Sequence, residues 1–497
     1  MEKYDVCVIG AGPAGFAAAM RALDFGKKVI LIEKGLVGGA GVFNGALSSK
    51  TLWELSKDIR KLSVTDRGYK IEKYEVDYQE IMKTVHAAIM ERKKLLLHQI
   101  DALQNTIYPG RFRLVRGFAR MESPNTIFIT NKNGSQEKIF AYYTILASGS
   151  TPRKLPSIPI DEQIIVTSDG ISNFKDFPKS IVVLGAGVVG CEFATIFANF
   201  GKTQVRLIDK AHRMLPFEDE DISKIVESNL EKNGVLFHHN ASLDSMTIEN
   251  GRVKYILNYR DGSKETHYAE KALVSIGRVA SFKDMGLEEI GIQFTDKGNI
   301  YVDDSQTSIP NIYAVGDLTA DISLVNVGEL EGRHAIEKIY GSTSKILKYD
   351  NISTIMFLHP EVAGVGLNEV DALKKNIPYR VATYSYAHIP RAIAMRSTNG
   401  FFKIIVTDDE EMRILGMRAI GEHASSVIEA VSLLISMNKG ISELAELIHP
   451  HPSMTEGIQE CVRMLLRKSI MKPVVFTDKL KCYRVVNGQR LEIGAGN

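Results

Sequence analysis

Cysteine is scarce in this 497-residue chain. The four present, Cys7, Cys191, Cys461 and Cys482, lie far apart, without Cys-x-x-Cys or metal-ligand spacing. A disulfide scaffold is therefore excluded, no metal site is expected, and a reducing compartment fits. A long apolar run is also missing, so no bilayer-spanning helix and no membrane insertion are expected. Charge of one sign is not in excess: 61 basic residues against 59 acidic ones leave +2. That balance argues against nucleic acid or an anionic surface as a partner. The first apolar strand starts within a few residues of Met1, so no signal peptide is expected and the location reads as cytoplasmic. Tryptophan occurs once, as Trp53, and low-complexity tracts are missing.

What is present, conspicuously, is a duplication. Residues 6–34 read VCVIGAGPAGFAAAMRALDFGKKVILIEK, and residues 181–210 read IVVLGAGVVGCEFATIFANFGKTQVRLIDK. Each is an apolar strand, Gly-Ala-Gly-x-x-Gly, a helix ending near Phe-Gly, and a second strand closing on an acid and a lysine. Gly10 and Gly185 suit the tight strand-to-helix turn. Gly12 and Gly187 let the backbone approach a pyrophosphate, and Gly15 and Gly190 let helix and strand pack closely. The helix N-terminus offers N–H groups to the phosphates. Glu33 follows Gly15 by 18 residues and Asp209 follows Gly190 by 19. A carboxylate about 20 residues on is placed to accept from ribose hydroxyls. Two such units imply two dinucleotides, with electrons passing between them. Asp209 favours NADH by accepting from the 2′-hydroxyl and repelling a 2′-phosphate. Lys210 and Arg213 soften that preference and leave NADP(H) as an alternative.

Between and beyond the repeats, a glycine-rich loop spans 36–50 and a long helix spans 76–106, with Ile81, Val85, Ile89, Leu95 and Ile100 among its apolar positions. Strands are expected at 112–119, 126–130 and 142–147, the second and third separated by an Asn-Gly turn at 133–134. The proline-containing TPRKLPSIP marks a first boundary. Past about 350 the pattern changes to strands at 401–406 and 412–420 and helices at 424–438 and 453–469.

These motifs, in this order, resemble the class I pyridine nucleotide-disulfide oxidoreductases, the flavoprotein family of dihydrolipoamide dehydrogenase and soluble pyridine nucleotide transhydrogenase. The resemblance covers roughly 4–470 and implies an α/β chain: two Rossmann-like domains, for FAD and NAD, and a C-terminal α+β dimerisation domain. It implies an FAD domain at 1–155 and 280–350, an NAD domain at 156–279, a dimerisation domain at 351–470 and an extension at 471–497. TILASGSTPR (144–153), with Gly149, looks like the second FAD segment, and SIGR (275–278), with Gly277, like the return crossover from the NAD domain. TSIPNIYAVGD (307–317) places Asp317 on the flavin's ribityl chain. Lys50 and Glu192 stand where the family has a lysine–glutamate pair near the flavin. HPHPSMTE (449–456) supplies the His451–Glu456 pair, which in the family reaches the flavin of the other subunit, so a homodimer is implied.

The family's cysteine loop differs here. Its two cysteine positions align with Gly41 and Ala46, and its proline with Ser48. A thiolate is the protein side chain that attacks a disulfide and leaves again. The expectation is therefore a thiol-less FAD-dependent oxidoreductase, and not a disulfide reductase, passing electrons from NADH through FAD to a small-molecule acceptor such as a quinone. The alternatives are a soluble NAD(P) transhydrogenase and a flavin-bound sensor or scaffold without turnover. Cys482 in the tail reads as inert, and Cys7 and Cys191 as packing residues.

Overall fold

The computed structural model describes residues 1–64, 67–69, 71–319, 322–341 and 343–493. They divide into two compact units.

The first unit comprises residues 1–178, 246–253 and 270–347. Its strand Glu2–Ile9 pairs in parallel with Val29–Glu33 on one side and Gln136–Leu146 on the other. Val29–Glu33 continues in parallel to Phe112–Ser123, and Thr126–Asn131 pairs antiparallel with both Phe112–Ser123 and Gln136–Leu146, so the sheet returns on itself. Ile312–Ala314 adds in parallel to Gln136–Leu146. Val6, Cys7, Val8, Val29, Ile30 and Leu31 are all fully buried, so these strands are apolar on both faces, as covered parallel sheets require. Helix Pro13–Asp24 packs against Val325–Tyr340 closely enough that a Cβ at Gly332 would meet the Ala14 carbonyl oxygen at 2.2 Å. Asp77 caps the long helix Tyr78–Ala102 by accepting from the Gln79 and Glu80 amides. On that helix Leu96, and not Leu95, turns inward: Leu95 is 57% exposed. The segment expected as a loop at 36–50 is largely helical, with a short turn Gly39–Val42 and the start of Ala46–Leu62.

The second unit comprises residues 179–245, 254–269 and 348–497. Ser180–Leu184, Gln204–Ile208 and Leu236–His238 form its parallel sheet, with helices Val188–Phe200 and Glu220–Lys232. A second sheet has seven antiparallel strands in the order Ser353–Met356, Val362–Gly366, Ile414–Ile420, Phe401–Thr407, Tyr379–Ser385, Leu480–Val486 and Gln489–Glu492, and a third, three-stranded one includes Arg252–Tyr259 and Lys264–Ala269. Helices Glu429–Ser436 and Thr455–Leu465 contribute Val431, Ile458 and Val462 to its core. The segment from 471 onward is thus partly a hairpin of the main sheet, turning at Asn487 and Gly488, both at positive φ. The expected helix at 424–438 is a 3-10 turn, Ala424–Ser426, followed by Glu429–Ser436.

Buried Lys403 anchors this unit. Its ammonium meets Asp219 at 3.1 Å, Asp221 at 2.6 Å and Glu369 at 2.8 Å. Burial disfavours the charge, but the three carboxylates outweigh it and hold the group protonated well above the usual lysine range. Among the described residues no helix is long and apolar enough to cross a membrane.

Candidate functional site

Each glycine fingerprint folds as its spacing predicts. Gly10 sits at φ +110°, where a Cβ would strike the Ala147 carbonyl oxygen at 2.2 Å, and Gly185 sits at φ +105°. A Cβ on Gly15 would lie 1.9 Å from the Gly10 carbonyl oxygen, so the helix can start this close only without a side chain there. Gly190 is buried in the first turn of Val188–Phe200. Gly12 and Gly187 behave differently. Each caps its helix in extended conformation, and nothing lies within 4 Å of the place its Cβ would take. Each loop therefore leaves an open cradle at a helix N-terminus, the shape a pyrophosphate needs.

The two acids repeat the same bond. Glu33 accepts from the Ala11 amide at 2.7 Å, and Asp209 from the Ala186 amide at 2.8 Å. Their second oxygens accept from Gly35 at 2.6 Å and Ala211 at 2.7 Å. The carboxylates lock the glycine loops, a structural task that spacing alone does not announce. Arg213 points elsewhere: its guanidinium donates to Ser223 Oγ at 2.7 Å and to the Pro216 carbonyl at 3.1 Å.

In the first unit Asp317 accepts from Ser150 Oγ at 2.5 Å, and Arg278 donates to Ser150 Oγ at 2.7 Å and to its carbonyl at 2.8 Å. Gly149 and Gly277, at φ +70° and +102°, flank this network and have open space at their Cβ positions. Ser150 and Arg278 went unnamed as site residues, although both lie inside the motifs that drew attention. Glu331, outside those motifs on the helix Val325–Tyr340, is buried and accepts from the Gly316 amide at 2.6 Å, next to Asp317. Lys50 stands on the helix Ala46–Leu62 of the first unit. Gly41 is tightly placed, since a Cβ there would lie 2.7 Å from Pro13 Cγ.

In the second unit Glu192 is buried on Val188–Phe200 and accepts from the Phe357 amide at 3.0 Å. His451 Nδ1 pairs with Glu456 Oε2 at 3.0 Å, and the other Glu456 oxygen accepts from the Ser453 amide at 2.6 Å. The imidazole is 71% exposed while Glu456 is 24% exposed, so the acid fixes a ring that faces outward. All four cysteines are buried and none forms a disulfide. Burial pushes the Cys7 and Cys191 thiols far above their ordinary range, and Cys482 up to about 11. These thiols pack rather than react.

The comparisons with known proteins agree with this geometry. Residues 4–333 match the family described as pyridine nucleotide-disulphide oxidoreductase, and residues 352–462 match its dimerisation domain. The chain is 33% identical to a dihydrolipoyl dehydrogenase of Chlamydia muridarum (strain MoPn / Nigg) over 460 residues, covering 92% of this chain and 95% of that one. It is 32% identical to a dihydrolipoyl dehydrogenase of Bacillus subtilis (strain 168) over 463 residues, covering 92% and 97%. Among solved structures, LpdA from Mycobacterium tuberculosis superposes with a TM-score of 0.84 at 25% identity, covering 94% of this chain and all of that one. The HOCl-induced flavoprotein disulfide reductase RclA from Escherichia coli shares the fold, with a TM-score of 0.82 at 24% identity and coverage of 94% and 100%.

These findings correct one expectation. The side chains of one short loop lead to the expectation of a thiol-less enzyme serving a non-disulfide acceptor, with a transhydrogenase and a sensor as alternatives. The relatives, matched over more than nine-tenths of the chain, point instead to the disulfide-reductase class. Two side chains in the 36–50 segment do not decide the acceptor against a likeness of that extent. The doubled cradles fit FAD and NAD(H), the cofactors of this protein, and the chain belongs to the pyridine nucleotide-disulphide oxidoreductase family, dimerisation domain included.

Proposed function

We propose that this protein is a homodimeric FAD-dependent NAD(H) oxidoreductase of the disulfide-reductase class, working on a dithiol–disulfide couple of the dihydrolipoyl kind. The observation that carries the reading is the doubled cradle, two open glycine loops each locked by its own acid. The identity to dihydrolipoyl dehydrogenases supports the substrate class. Residues 1–155 and 280–350 hold FAD, with Gly10, Gly12, Gly15, Glu33, Lys50, Gly149 and Asp317. Residues 156–279 hold NAD, with Gly185, Gly187, Gly190, Asp209 and Gly277. Residues 351–470 carry the dimer contact, and 471–497 are a C-terminal extension.

Gly41 and Ala46 contribute no sulfur, and the chain's four thiols are buried. Both sulfurs of the couple therefore belong to the substrate. FAD, held by the residues named above, would supply the two-electron relay between the substrate dithiol, which closes to an S–S bond, and NAD⁺, with one proton released alongside NADH. His451, oriented by Glu456, is the group that takes a substrate thiol proton. By their places in the family's motifs, Lys50 and Glu192 are each assigned a catalytic role. Asp209 favours NAD(H) over NADP(H). The free thiols, without any disulfide, fit the cytoplasm.

The test is NADH formation from dihydrolipoamide and NAD⁺ by FAD-loaded protein, alongside flavin bleaching by NADH alone. Turnover in the wild type is expected, with His451→Gln slowing it by about 100-fold or more, the size of a general-base contribution. That variant should leave bleaching by NADH intact. Bleaching by NADH without any dihydrolipoamide turnover would overturn the substrate class while keeping the cofactor assignment.

A further inference from the structure

The second unit carries a cluster of chemistry that the redox reading does not use. His238 ends the strand Leu236–His238. Tyr255 and Tyr259, four apart on Arg252–Tyr259, share one face of their strand; Glu265 and His267, two apart on the neighbouring Lys264–Ala269, share another such face. A ring nitrogen of His238, a carboxylate oxygen of Glu265 and a ring nitrogen of His267 all lie within 4.8 Å of one another.

The hydrogen bonds fix the protons. Tyr259 Oη stands 2.8 Å from His238 Nδ1 and 3.2 Å from Glu265 Oε2. A carboxylate only accepts, so the hydroxyl proton goes to Glu265, and the hydroxyl oxygen accepts from His238 Nδ1–H. His238 Nε2 is then an unprotonated lone pair, and it is buried without a hydrogen-bond partner. An unmatched buried lone pair of this kind is costly to leave in place. His267 Nε2 and Glu265 Oε2 are already 3.0 Å apart. Histidines that ligate metals hand their other nitrogen to a fixed acceptor, and the Tyr259 hydroxyl plays that part for His238.

We propose that His238, Glu265 and His267 bind a divalent transition-metal ion of the zinc class. Two imidazoles and one carboxylate suit zinc, copper, nickel or cobalt, whereas magnesium and calcium want all-oxygen sets. Zinc bonds of about 2.0–2.2 Å draw the donors inward by roughly 1 Å. Glu265, 53% exposed, can make that movement, while Tyr259 keeps His238 in place. Water takes the fourth position. The site adjoins the nucleotide fingerprint: His238 pairs with Ile208, and its carbonyl accepts from the Asp209 amide at 3.3 Å.

Equilibrium dialysis of the FAD-loaded full-length protein against Zn²⁺, read by elemental analysis, tests this directly. One ion per protomer is expected. Glu265→Gln and His267→Asn should each weaken binding at least tenfold, with flavin content and circular dichroism unchanged. His238→Gln should abolish it, and Zn²⁺ X-ray absorption of the wild type should show two imidazoles. No bound Zn²⁺ in wild-type protein, or equal binding in well-folded Glu265→Gln and His267→Asn, would overturn the proposal and leave a hydrogen-bonded relay only.

Discussion

Asp304 shows how much one side chain can hold. It is a non-glycine residue at φ +50°, and its carboxylate is 8% exposed. It accepts from His334 Nε2 at 2.9 Å, Lys338 Nζ at 2.9 Å and the Leu347 amide at 3.0 Å. Burial alone would raise its pKa, but the Lys338, Leu347 and His334 hydrogen bonds outweigh burial and lower it. A lowered carboxylate stabilises the fold above its unfolded pKa, and that contribution disappears as pH falls through the folded value. Asp304→Asn should therefore cost about 3 kcal/mol at pH 7, the scale for breaking a buried charged network. The gap between variant and wild type should begin to narrow below about pH 4, where carboxylates of the unfolded chain protonate, and should close as pH falls on through the lower folded value. Thermal unfolding at pH 7 and pH 3.5 checks both halves; a gap independent of pH would refute the linkage. Nothing in the sequence near Asp304 announces this network, since two partners come from a helix 30 residues on and the third from Leu347 beyond it.

Within the two strand–loop–helix elements, each glycine carries a different burden, and substitution should separate them. Gly12 and Gly187 face open space, so Gly12→Val and Gly187→Val leave the fold intact and fill the cradles. Gly12→Val should purify without flavin. Gly187→Val should keep its flavin yet need at least tenfold more NADH for bleaching. Gly15→Val would place its Cβ 1.9 Å from a carbonyl oxygen and should be insoluble. Normal flavin loading of Gly12→Val would sink the assignment of that loop. These elements were the most legible in the sequence, because three glycines, an apolar helix and a distant acid had to agree. The helix Tyr78–Ala102 was legible for its length, expected as 76–106, but not its inner face: consecutive Leu95 and Leu96 left a shift of one residue undecided. The turn Gly39–Val42 was hidden by its glycines, whose low helix propensity is overridden here by packing against Pro13 and Leu96. Similarly, Glu-Thr-His at 265–267 is a strand alternation that puts two ligands on one face, and only its distance in sequence from His238 concealed the cluster.

For the whole molecule, the order of motifs made the fold class readable from end to end, while the tail escaped the reading. The signal was present: Arg-Val-Val-Asn-Gly-Gln-Arg carries the Asn-Gly turn of a two-residue hairpin between β-formers. The family pattern, which stops near 470, says nothing of it. In the structure Leu480–Val486 runs the length of Tyr379–Ser385, pairing six positions from Tyr379↔Val485 to Tyr384↔Leu480, and adds Tyr483 and Val485 to a small core with Val381 and Ile405. The tail is thus a seal. A chain cut after Met471 would leave Tyr379–Ser385 as a bare outer strand, its amides and carbonyls open to any extended segment that drifts past. Bare strands of this kind template aggregation. Such a truncation should scatter light and elute in the void volume, even with its flavin bound, and a monodisperse truncated protein would show the seal to be dispensable. By the same logic, the short and wholly exposed Gln489–Glu492, with Arg490 and Glu492 along it, is what now faces outward: a charged hem that gives a stray strand little to zip onto.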